Sequence, residues 1–244
     1  MQAAKIPDKF IIKEPGTMPG FFIFTLVMFD QRILTYLQDY LTPRRKALFE
    51  KVLEERTNHI TLVAQDVYQL HNTSAVVRSC DVFGIQNIHV IEEKFPRRID
   101  KEIAMGAQKW VDINRYNSAR ECISNLRNKG YRIVATSPHD DSLLLDDFDI
   151  SSRSAIFFGT EKEGLSDEVV EEADATIKIP MVGFTESLNI SVSAAIILHT
   201  LTQKLKNSDV EWRLTDEEKN LIRMDWTKKT IKNSDQIIER FLNQ

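Results

Sequence analysis

Cysteine, glycine, proline and histidine are all scarce in this chain: 2, 8, 7 and 5 of 244 residues. Each shortage narrows what the chain can be. Cys80 and Cys122 fall in segments that read as helical, and neither has a second Cys or a His at a metal-ligand spacing. The simplest reading is two buried small hydrophobes in a reduced, intracellular, cytoplasmic protein. So few glycines and prolines cannot make a linker-rich or low-complexity chain, and the sequence shows no internal repeat. No two glycines are separated by a single residue, which removes the G-x-G-x-x-G dinucleotide loop. There is also no G-x-x-x-x-G-K-[ST] phosphate loop and no G-x-S-x-G hydrolase elbow. His59, His71, His89, His139 and His199 include no H-E-x-x-H and no close pair, so no metal is expected. Long apolar runs are missing too. "GFFIFTLVM" is too short to span a bilayer, and it follows a mixed stretch holding Pro7, Pro15 and Pro19 rather than a compact basic region. No membrane partner is expected. Residues 1–27 are expected to lie outside the fold, with Met28 as the true start. An excess of positive charge is the last absence: a net charge of −4 argues against indiscriminate coating of nucleic acid.

What is present is ordinary globular material, 42% hydrophobic and 28% charged, enough for one large domain or one domain with appendages. The mean charge hides an asymmetry. Arg44, Arg45, Lys46, Lys51 and Arg56 cluster in one stretch, and Lys94, Arg97, Arg98, Lys101 and Lys109 in another, whereas acid gathers between Asp140 and Asp174. Basic patches on an acidic body suit a partner that docks at one place; solvated helix faces are the plainer alternative. Short β-branched or aromatic runs occur at 60–66, 87–92, 132–137, 155–160 and 176–180, with helical patterns at 73–84, 117–129, 166–172 and 187–206. Strand alternating with helix predicts an α/β fold with a mostly parallel sheet. Such folds bind ligands at the carboxyl ends of their strands. Those ends carry "DVYQLHN", "TSPHDD", "GTEKEG" and "PMVGFTESLN" here.

Three constellations stand out. In "HNTSAVVRSCDVFGI", Asn72 reads as the N-cap of a helix, and Arg78 falls nearly two turns later among Ala75, Val76, Val77, Val82 and Phe83. An arginine there must find an anion or a ring of acceptors, either a ligand or a core carboxylate. In "FFGTEKEGLSDE", Gly159 ends a buried strand and would let a ligand approach the backbone; Glu161 follows, and Gly164 permits a second sharp turn. In "IPMVGFTESLNISVS", Ser187 and Asn189 open an apolar helix directly after Pro180, Met181 and Gly183. A helix cap needs one residue, and this loop holds many polar ones.

Taken in order, these segments resemble the SpoU-type RNA ribose 2′-O-methyltransferases of the SPOUT superfamily. N-x-x-A-x-x-R is present as Asn72, Ala75 and Arg78; the strand-glycine-glutamate motif as "FFGTEKEG"; and I-P-M-x-G-x-x-x-S-L-N-x-S-x-x from Ile179 to Ser193. The likeness covers roughly residues 44–206 and is nearest to the TrmH type, which methylates the D-loop guanosine at tRNA position 18. It implies a SPOUT-type α/β knot: a trefoil-knotted, mostly parallel sheet flanked by helices, threaded around residues 159–206, with N- and C-terminal helical extensions. The expected organisation is a helical region at 28–58, a methyltransferase domain at 59–206 and a helical extension at 207–244. The resemblance further implies S-adenosylmethionine as cofactor, held near Thr136, Gly159, Ile179, Met181, Ser187 and Leu188. It implies a homodimer, with the helix after Leu188 apolar nearly all round because it meets both the knot and a second subunit.

By the same resemblance Arg78 is the catalytic arginine, Asn72 fixes its geometry or that of the ribose, Glu161 tethers one of these, and Asn189 holds the reacting end. Deprotonating a guanidinium at pH 7 costs on the order of 7–9 kcal/mol, so orienting the ribose and stabilising the nascent alkoxide is the expected role. His71, Arg44, Arg45, Arg97, Arg98, Lys101, Lys204 and Lys206 are expected to meet RNA. TrmH-type chains usually carry arginines where this one has "LTQKLKN", which leaves the contacts, and with them the nucleotide, open. Methylation of ribosomal RNA, or a catalytically silent RNA-binding protein of the same fold, remain the alternatives.

Overall fold

The computed structural model describes residues 31–67, 70–94, 104–137, 142–160 and 163–243. Two helices come first, α1 (Gln31–Gln38) and α2 (Pro43–Leu53). Thr42 caps α2 by accepting the Arg45 amide, and Pro43 fills the first turn, where no amide is missed. There follow β1 (Ile60–Gln65), α3 (Leu70–Val82), β2 (Asn87–Ile91), β3 (Asp112–Tyr116), α4 (Ala119–Asn128), β4 (Arg132–Thr136), β5 (Leu143–Leu144), β6 (Ser154–Phe158), α5 (Asp167–Glu171), β7 (Ala175–Lys178) and α6 (Ile190–Lys206). The extension supplies α7 (Asp216–Thr230) and α8 (Ser234–Leu242).

All seven strands are parallel, in the order β3-β2-β1-β6-β4-β7-β5. The chain runs outward from β1 through β2 to β3, crosses to β4, and later inserts β6 between β1 and β4. Alternation along the central strands serves two cores. Leu62, Ala64, Ile156 and Phe158 face the layer of α3 and α6, while Val63, Ala155 and Phe157 face α4 and α5. A third cluster, Phe49, Leu53, Leu214, Ile222 and Trp226, joins α2 to the C-terminal extension.

The five strands read from sequence are present within one or two residues. The two missed strands, β3 and β5, are edge strands. "DINRY" carries polar residues and is only partly buried, and β5 is two exposed leucines. Gly130 ends α4 with φ +79. Cys80 and Cys122 are free and buried, and burial pushes the Cys80 thiol up to about 12. His89 is likewise buried, paired through Nδ1 with the Tyr116 hydroxyl at 3.0 Å, and desolvation pushes its imidazole down to about 3. Among the described residues, no helix is long and apolar enough to cross a membrane.

Candidate active site

The carboxyl ends of β4, β6 and β7 open onto a cleft of about 340 Å³. Thr136, Gly159, Ile179, Met181, Ser187 and Leu188 all line it, so the six residues expected around the cofactor meet in one place. Phe158, Ile190 and Ile197 add apolar wall, and Ser137, Glu186 and Ser193 add polar groups. Sequence reasoning had not singled out these six, although Glu186 and Ser193 lie within the third motif. Residues 179–188 form no helix or strand. Among the described residues they also make no backbone–backbone hydrogen bond. Their amides and carbonyls are therefore free to serve a ligand.

Thr160 and Gly164, which also line the cleft, are joined to each other by reciprocal backbone bonds of 2.9 and 3.0 Å. Gly164 has φ +72, as a second sharp turn requires. A Cβ at Gly159 would stand 2.1 Å from the carbonyl carbon of Gly164 and 2.3 Å from the Leu165 nitrogen, so the chain's own backbone also requires glycine there. A buried side chain of β1 anchors that turn. Gln65 donates through Nε2 to Ser166 Oγ at 2.8 Å and accepts the Ser166 amide at 3.0 Å. Ser166 holds the N-cap position of α5 but makes no side-chain cap bond; its hydroxyl is taken by Gln65. On the outer side Lys94 pairs with Glu163 at 3.1 Å, a bond that raises the lysine above its ordinary pKa.

Next to the cleft the two motif asparagines meet. Asn189 Nδ2 donates to Asn72 Oδ1 at 3.2 Å, while Asn189 Oδ1 accepts the Ser191 amide at 2.9 Å and the Ser191 hydroxyl at 2.6 Å. Asn189 is both helix cap and bridge. Asn72 is not the N-cap expected of it: α3 starts at Leu70, so Asn72 is a first-turn residue, 2% exposed. Arg78 also departs from expectation. It is exposed rather than set in an apolar face, and among the described residues it has no hydrogen-bond or ion-pair partner. The core-carboxylate alternative therefore fails for Arg78. His71 is exposed two turns earlier on the same helix, and at a seven-residue spacing the two share one side.

Of the residues expected to meet RNA, Arg44 is exposed and Arg45 lies 6.0 Å from the Phe49 and Trp110 ring centroids. Lys204 is already engaged, donating to the carbonyls of Asp146 at 2.6 Å and Phe148 at 2.8 Å. Lys206 pairs with Glu55 at 2.6 Å. Glu161, Arg97, Arg98 and Lys101 lie outside the described residues. Arg56, counted above in a basic stretch, is 1% exposed and cannot meet RNA.

A strand-end cleft tied through two asparagines to an arginine-bearing helix defines the class: the profile of the SpoU rRNA Methylase family matches residues 59–199, and the chain belongs to that family. A curated relative from Borreliella burgdorferi, named tRNA (guanosine(18)-2′-O)-methyltransferase, is 40% identical over 85% of this chain and 94% of its own. A Thermus thermophilus protein of the same name is 33% identical over 77% of this chain and 98% of its own. Among solved structures, the Aquifex aeolicus TrmH/SpoU tRNA modifying enzyme superposes with a TM-score of 0.71 at 31% identity, covering 78% of this chain and 98% of that one.

Proposed function

We propose that this chain is a tRNA guanosine 2′-O-methyltransferase acting at position 18 of the D-loop, with S-adenosylmethionine as methyl donor. One observation carries the reading: the residues of the third motif line a cleft, and Asn189, the next residue along, bonds Asn72 on the helix that presents Arg78. The names of the relatives support the choice of tRNA. The cleft fits the donor. Its volume falls within the roughly 300–1,000 Å³ usual for small-molecule sites, Ile179, Met181 and Leu188 offer an apolar surface for a purine, and the unpaired backbone of 179–188 offers donors and acceptors.

When bound, S-adenosylmethionine supplies an electrophilic methyl group. Moving it to a ribose needs in-line approach of the 2′-oxygen and stabilisation of the negative charge that grows there. Arg78, exposed and without a partner among the described residues, can present its planar fork to that oxygen and the adjacent phosphate. Asn189 fixes α3 against the start of α6 through its bond to Asn72, and so sets where Arg78 stands relative to the cleft. Arg44, Arg45, His71, Lys51 and Lys109 would carry RNA phosphates. The reading includes a homodimer and a chain threaded through itself between 159 and 206. The dimer is supported by an apolar face left open along the loop and α6, where Val182, Phe184, Leu188, Val192 and Ile196 are exposed.

Incubating the purified protein with labelled methyl donor and total RNA, then mapping the modified ribose, tests this directly. Label on the 2′-oxygen of guanosine 18 in tRNA is expected. Label confined to ribosomal RNA, or no transfer at all, overturns the assignment.

A further inference from the structure

Arg56 is a buried arginine outside the cleft, and it touches the helix that carries Arg78. It sits in the turn between α2 and β1, 1% exposed. Its Nη2 forms an ion pair with Asp81, its Nη1 donates to the Ile85 carbonyl at 3.2 Å, and its guanidinium lies 5.3 Å from the Trp226 ring centroid. Trp226 belongs to α7 and is itself buried, so the C-terminal extension covers the Arg56 guanidinium, while the Asp81 side chain stays 30% exposed. Asp81 lies on α3 three residues after Arg78. Residues at that spacing are neighbours on a helix surface, and an Arg–Asp pair three apart forms readily. Yet Arg78 is unpaired among the described residues, and the Asp81 carboxylate is held by Arg56.

Resting on the methyltransferase reading above, we propose that Arg56 is a positioning residue that keeps Asp81 away from Arg78, so that the Arg78 guanidinium stays free for the ribose and phosphate. The competition favours Arg56. The Arg56 guanidinium is buried against the Trp226 ring and has Asp81 as its one ionic partner among the described residues, whereas Arg78 is exposed and can be solvated by water instead. The same geometry gives the C-terminal extension a part in the reaction without contact with substrate: Trp226 covers the arginine that holds the acid nearest in sequence to Arg78.

The test compares Arg56→Leu, Arg56→Gln and the double variant Arg56→Leu/Asp81→Asn in the full chain, with rates normalised to donor-binding sites counted by calorimetry. Arg56→Gln keeps a donor toward Ile85 if the leucine variant folds poorly. Either single change is expected to lower kcat tenfold or more while leaving KM for the donor within twofold. Adding Asp81→Asn should return kcat to within about threefold of the parent. A merely structural arginine would show its rescue in the melting temperature, since Asp81→Asn removes a stranded charge; rescue of kcat per donor-binding site in excess of any recovery of stability is what marks a positioning role. Single variants with full kcat, or a double variant no faster than Arg56→Leu, overturn the proposal. A crystal structure of either single variant checks the geometry without activity: the Asp81 carboxylate should move within 4 Å of Arg78, and an acid still turned away sinks the idea. A parent protein inactive on tRNA would instead defeat the underlying reading, so the two failures are separable.

Discussion

Asn189 uses both ends of one amide: the oxygen caps α6 and the nitrogen crosses to Asn72. Serine or aspartate could cap the helix equally well, but neither could also donate an N–H across to Asn72. The requirement for asparagine is therefore set by the bridge rather than by the cap. Arg78 poses a similar question of residue type. Lysine at 78 would keep the charge and lose the planar fork with which Arg78 is proposed to meet a ribose oxygen and a phosphate together. Arg78→Lys is expected to lower kcat on the order of 10²-fold, close to Arg78→Ala, since removing an aimed donor to a developing oxyanion costs that much. Steady-state methylation of tRNA checks it, and a lysine variant of full activity refutes the two-point role. Asn72 as read from sequence and as found differ because helix α3 already includes Leu70, which places Asn72 inside its first turn.

Among the elements, α5 is only five residues long and lacks a side-chain cap of its own. Gln65 substitutes for it, gripping both the amide and the hydroxyl of Ser166 and thereby holding the turn that lines the cleft. Replacing Gln65 by leucine preserves bulk but removes two hydrogen bonds to the half-buried Ser166, each contributing about 0.5–1.5 kcal/mol. Gln65→Leu is expected to raise KM for the donor severalfold with a smaller effect on kcat, and to lower the melting temperature; Ser166→Ala, which leaves the amide bond in place, should do roughly half as much. Donor KM unchanged in Gln65→Leu would show that the Thr160–Gly164 closure holds the turn unaided. This contact was not legible in the sequence, because it joins residues 101 apart and neither residue type is unusual where it stands. The central strands were legible, since β1 and β6 are buried on both faces and read as continuous apolar runs. The edge strands were not: in β3 only Ile113 and Tyr116 reach the cores, and the polar residues between them hide the pattern. The same contrast runs through the site. The cleft residues could be read because a single loop supplies most of them, whereas the disarming of Asp81 by Arg56 depends on three segments meeting.

At the scale of the whole molecule, the start of helix α6 and the loop before it leave apolar side chains open in a single copy of the chain, a face the proposed homodimer would cover. Ile190, Ala194, Ile197, Leu198 and Leu201 are spent on the core beneath the sheet, and still Val192 and Ile196 stand exposed, with Leu188 and the fully open Val182 and Phe184 beside them. Val192 and Ile196 are four residues apart and so lie one above the other on the same face. Charged residues in place of this pair leave the packed side of α6 untouched, which separates folding from association. Under two-fold symmetry each substitution acts twice. Four aliphatic side chains, each contributing about 1.5–3 kcal/mol when buried, are lost from one interface. The double variant Val192→Asp/Ile196→Asp is accordingly expected to sediment as a monomer at micromolar concentration, with far-ultraviolet circular dichroism like that of the parent. Because Leu188 belongs both to the open face and to the cleft wall, separating the copies should also expose the donor site to water and reduce methylation at least tenfold. A parent chain that sediments as a monomer while fully active would remove the reason for this face. A dissociated but active double variant would show that each cleft is complete within one copy.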